Sequence, residues 1–85
     1  MEKDIKAIAL LLTTQAMINL GEIEDPVTKN KNINIPGAEV FVELLHVLKD
    51  KTEGNLTQPE EDFISELLEN VDRVFDKKQK ESAGL

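Results

Sequence analysis

Glu43 and His46 have the strongest claim to chemistry in this chain. They stand three residues apart, the Glu-x-x-His spacing with which di-iron carboxylate bundles hold their metal. Two copies in a symmetric dimer would supply two such pairs. The pair falls, however, on the polar side of its helix, opposite Phe41 and Leu48, whereas bundle ligands project inward. The expectation is a solvated stripe in which Glu43 and Asp50 flank a lone surface His46, with no metal ligand and no cofactor. Glu22, Glu24 and Asp25 form a second acidic group, but they lack the Asp-x-Asp-x-Asp-Gly spacing of a calcium loop. They read as a solvated acidic loop.

Nucleophilic chemistry has little to work with. There is no Cys and one His, and Ser65 and Ser82 lie in a helix and in the tail. General acid–base work would fall to carboxylates, and no pair of them is visibly set in a pocket. No Gly-rich phosphate loop is present. Asn55-Leu56-Thr57 matches a glycosylation sequon, but Thr57 already has a role as a helix cap. The chain is therefore not expected to be an enzyme.

Three helical segments must position whatever these residues do, making an all-α fold. The first spans about residues 3–20 and stops at Gly21, a left-handed cap residue. The second spans about 35–53, with Pro36 in its first turn and Gly54 after its end. The third spans about 58–78. It opens on a Thr57-x-x-Glu60 capping box, with Glu60, Glu61 and Asp62 matching the positive end of the helix dipole. Lys77, Lys78 and Lys80 match the other end. Residues 1–78 form one domain, and 79–85 form a frayed tail. Between the first two helices, residues 21–34 form a long irregular loop punctuated by Asp25-Pro26 and Asn30-Lys31-Asn32. Ile33 and Ile35 alternate with polar neighbours there, which leaves a short extended pair open.

Helix periodicity separates the three segments. In the third, Ile64, Leu67, Leu68, Val71, Val74 and Phe75 form one stripe of an ordinary amphipathic helix. In the second, Phe41, Leu44, Leu45 and Leu48 share a face, widened by Val40 and Val47. The first is apolar in every direction. Ile5, Ile8 and Leu12 cover one side, with Ala9, Ala16 and Leu20 beside them. Leu10 and Met17 point nearly opposite, and Ala7, Leu11 and Ile18 cover a third direction. Two further helices cannot surround such a segment, so a second chain is expected to complete its burial. The predicted oligomer interface comprises Ile8, Leu11, Leu12, Gln15, Met17, Ile18 and Asn19. Gln15 and Asn19 either pair across that interface and set its register or reach solvent at the edge of the stripe.

Composition narrows the function classes. The chain has 85 residues, 17 acidic against 10 basic, and a formal net charge of −7. That balance argues against nucleic acid and against an anionic membrane surface. A domain this small usually needs a staple, and the absence of Cys removes disulfides and thiolate metal sites. Oligomerisation remains. The apolar run Ala7–Leu12 is broken by Thr13, Thr14, Gln15 and Asn19 before it reaches the roughly 20 residues of a membrane span, so a cytoplasmic location is expected.

Two linked motifs carry a resemblance. Leu20-Gly21-Glu22-Ile23-Glu24-Asp25-Pro26 is followed at a distance by Lys51-Thr52-Glu53-Gly54-Asn55-Leu56-Thr57. The order resembles a small bacterial family catalogued as domain of unknown function 1844, over roughly Leu10 to Phe75. Asn30-Lys31-Asn32 stands where relatives commonly have a Gly-containing turn. The resemblance implies a small, soluble, bacterial helical protein and implies no activity. Taken together, the residues point to a non-enzymatic homodimer or higher homo-oligomer, acting on itself or on an unidentified protein partner. The alternative is a helical protein that binds a small ligand or metal between its helices or under the 22–35 loop.

Overall fold

Asp4 starts the first helix: its Oδ1 accepts from the Ala7 backbone N–H at 3.1 Å, satisfying one of the donors that a helix start leaves orphaned. The computed structural model describes residues 4–82. It contains α1 (Ile5–Asn19), α2 (Ile35–Thr52) and α3 (Gln58–Ser82). Each of the three packs on the other two. Met1 to Lys3, where the first helix was expected to begin, lie outside the described residues. So do residues 83–85 of the expected tail. Gln79 to Ser82 are helical, one turn beyond the expected end, with Lys80 bonded back to Asp76 at 3.0 Å.

The punctuation residues act as local chemistry dictates. At the end of α1, Gly21 takes φ +76°. The Glu22 N–H donates to Met17 O at 3.0 Å and the Gly21 N–H to Ile18 O at 3.1 Å. This is the paired bonding of a Schellman cap. Asn34 caps α2 by accepting from the Gly37 N–H at 3.1 Å. Thr52 to Asn55 close α2 with a turn, the Asn55 N–H donating to Thr52 O at 2.9 Å. Glu53 at φ −56° and ψ 130° and Gly54 at φ +85° give it the type II form. The capping box of α3 is formed in both directions: the Thr57 N–H donates to Glu60 Oε1 at 2.9 Å, and the Glu60 N–H to Thr57 Oγ1 at 3.3 Å.

The loop between α1 and α2 is ordered by its own side chains. Asp25 Oδ1 accepts from the Val27 and Thr28 N–H groups at 2.7 and 3.3 Å. Thr28 Oγ1 accepts from the Asn30 N–H at 3.3 Å. The extended pair reduces to one antiparallel bridge, Leu20 with Ile33. Lys29 adopts the left-handed conformation at φ +63°.

The core is built from small residues on α1. Ala9, Thr13 and Ala16 of α1 and its cap residue Leu20 are buried, as are Ala38, Val42 and Leu45 of α2 and Ile64, Leu68 and Val71 of α3; Ala9, Ala16, Val42, Leu45, Ile64, Leu68 and Val71 form one cluster. Alanine lets helix axes approach, so the larger partners fill the space between them. Leu20, Leu45, Ile64 and Val71 are fully buried, each contributing about 1.5–3 kcal/mol by area removed from water. The Thr13 hydroxyl donates to Ala9 O at 2.8 Å, so its burial leaves no polar atom unpaired. The α3 stripe packs as its periodicity predicts. The expected face of α2 does so in part: Leu45 is buried, and Phe41 and Leu48 pack against the core. The buried face centres on Ala38, Val42 and Leu45, while Leu44, Val40 and Val47 are exposed. The small side chain of Ala38 allows contact on a side that counting large residues overlooks.

Candidate functional site

The outer face of α1 is the most unusual surface of the molecule. Ala7, Ile8, Leu10, Leu11, Thr14, Gln15 and Ile18 face away from the buried side, and none is charged. Leu11 is 59% exposed, Leu10 52% and Ile8 50%. A soluble surface helix ordinarily carries charge there. On α2, Val40, Leu44 and Val47 form a second exposed apolar stripe at helical spacing. Contiguous patches of this kind mark interaction sites more often than scattered apolar residues do.

The residues expected at an interface on α1 divide into three groups. Ile8 and Leu11 point outward, and Gln15 and Ile18 are half-buried beside them. Leu12 and Met17 are half-buried against the chain's own core. Asn19 is committed to the junction of α1 with α2. Its Nδ2 donates to Gln15 O at 2.8 Å, its carbonyl accepts from the Asn34 N–H at 2.7 Å, and its Oδ1 occupies the space beside Gly37. Neither reading of Asn19, a bond across an interface or a reach into solvent, includes this use. Val40, Leu44 and Val47 belong to the exposed surface although the sequence reading set them inside. Their signal was present as an apolar stripe, but its orientation was not.

His46 does not stand alone. Its Nε2 lies 2.9 Å from Asp72 Oδ1, tying α2 to α3 across an exposed seam. Glu43, the partner in the Glu-x-x-His pair, is exposed on the next turn. Glu22 is likewise engaged, 3.5 Å from Lys78 Nζ. Among the described residues, no group of three or more His, Cys, Asp or Glu is placed to hold a metal ion. No helix among them is long and apolar enough to cross a membrane.

The profile of the family described as a domain of unknown function (DUF1844) matches residues 2–75. The chain belongs to that family. No curated protein and no solved structure matches it.

Proposed function

We propose that this DUF1844 member is a non-enzymatic protein-interaction module that works as a homo-oligomer in the bacterial cytoplasm. The observation that carries the proposal is the uncharged outer face of α1, with Ile8, Leu10 and Leu11 at least half exposed. Within one chain, α2 and α3 bury the side of α1 that carries Ala9, Thr13 and Ala16 and half-bury Ile5, Leu12 and Met17 beside it. A second chain is the simplest cover for the rest, because burying apolar area drives association as it drives folding. The acidic groups support the same reading. Residues 58–85 carry eight acidic and four basic groups, so more than half of the net charge sits on α3 and the tail, where it keeps an assembly soluble.

Sedimentation at micromolar concentration tests the proposal. A mass of two or more chains is the expected result. A folded monomer of 9.5 kDa overturns it.

A further inference from the structure

The outward-facing residues of α1 and α2, exposed or half-buried, share one spacing. On α1, Ile8, Leu11, Gln15 and Ile18 alternate steps of three and four; on α2, Val40, Leu44, Val47 and Lys51 alternate steps of four and three. This is the spacing of a coiled-coil seam, about 3.5 positions per step, apolar at every named position but Gln15 and Lys51. The two seams lie on the same side of the molecule. Asn19 and Gly37 meet at the α1–α2 junction. At about 100° per residue, Ile8 lies about 20° around α1 from Asn19, and Leu44 about 20° around α2 from Gly37. His46, which faces Asp72 of α3, lies about 180° around α2 from Gly37. Thus α3 covers one side of the α1–α2 pair, and both seams flank the other.

From this juxtaposition we infer that a second copy of the chain docks on the joint α1–α2 face, so that two seams from each copy make a four-helix bundle with α3 outside. The inference rests on the homo-oligomer proposed above and adds the surface and the arrangement. Charge favours a like-charged occupant. The α1 seam has no charged residue between Ile5 and Asn19 except Lys6, which lies away from it, and the α2 seam has only Lys51 at its end. Glu39, Glu43 and Asp50 lie outside the seam on its His46 side, about 80°, 40° and 60° around α2 from Val47. A basic partner would need acid in the seam; a copy carrying −7 needs it kept out. Gln15, the one polar residue within the apolar run of the α1 seam, is placed to set the register of the two copies.

Absence of Cys makes the test direct. Asn19 against Gly37 sets the pairing of the two antiparallel helices, which brings Leu11 level with Leu44. About a two-fold axis at that level, Leu11 meets either Leu11 or Leu44 of the second copy. Leu11→Cys and Leu44→Cys, alone and co-expressed, are expected to give crosslinked dimer under mild oxidation. Leu10→Cys, equally exposed but on the far side of α1, should give at least about tenfold less, since a disulfide needs Cα atoms within about 7 Å. Leu11→Glu is expected to weaken dimerisation about 100-fold or more by burying an unpaired charge while circular dichroism stays helical. Added salt should not weaken the dimer, whereas it would weaken a complex with a basic partner. A monomer in sedimentation overturns both this inference and the proposal beneath it. A dimer that crosslinks through Leu10→Cys, but not through Leu11→Cys or Leu44→Cys in any combination, overturns this inference alone.

Discussion

Asn19 of α1 fills the space that a side chain on Gly37 of α2 would need. A Cβ built on Gly37 would stand 2.9 Å from Asn19 Oδ1 and 2.8 Å from Asn34 Nδ2. The contact joins the end of one helix to the start of the next and sets how far α1 slides along α2. Both amides are engaged elsewhere, Asn19 with Gln15 O and Asn34 with the Gly37 N–H, so neither moves without losing a hydrogen bond.

Gly37→Ala should therefore destabilise the fold by about 1–2 kcal/mol, the worth of one or two neutral hydrogen bonds, despite the better helix propensity of alanine. Asn19→Ala removes one of the two obstacles. In a double-mutant cycle measured by urea unfolding, the pair should cost less than the sum of the singles. Strict additivity would show that the two residues do not press on each other.

Gly21 and Gly54 both have positive φ, but only Gly21 is also crowded. A Cβ there would approach Ile33 Cγ1 at 2.9 Å, while nothing lies within 4 Å of one on Gly54. Gly54→Ala should cost about 1–2 kcal/mol for the left-handed conformation alone. Gly21→Ala should cost more, because the Ile33 side chain must also give way. Equal unfolding midpoints for the two variants would contradict this account.

Ala16 is fully buried and Leu10 is 52% exposed. Ala16→Leu should overpack the α1 face and cost about 1–3 kcal/mol. Leu10→Ala should cost about 1 kcal/mol or less, since half of its area is in water already. The ranking, with the larger residue tolerating change and the smaller one not, is readable from thermal unfolding.

The His46–Asp72 pair is about half exposed on both sides. Surface pairs of this kind contribute about 0–1 kcal/mol. His46→Ala should therefore leave unfolding nearly unchanged and leave the sedimenting mass unchanged. A fall in oligomer mass would place this pair at an interface and contradict the α1–α2 docking surface.

The helix ends were legible because each depends on chemistry within one turn. Gly21 after Leu20, Pro36 behind Asn34, and Thr57 with Glu60 each satisfy or remove backbone groups beside them, whatever the rest of the chain does. The number of helices, the long first loop and the family resemblance followed from such residues. The expectation that α1 carries more apolar surface than one small chain can bury followed instead from its periodicity, apolar in every direction.

Orientation was decided only by tertiary packing. A helix wheel ranks faces by the size of their apolar residues, and on α2 that ranking favours Phe41, Leu44, Leu45 and Leu48, widened by Val40 and Val47. The folded chain buries Ala38 and, in one cluster with Ala9 and Ala16, Val42 and Leu45, because small residues let the axes come close and close packing outweighs the area of any one side chain. The same choice turned Val40, Leu44 and Val47 outward beside Ile8 and Leu11, drew Asn19 into the α1–α2 junction, and set His46 against Asp72. These pairings join residues that are distant in sequence, so their partners emerge only when the helices have chosen which faces to press together.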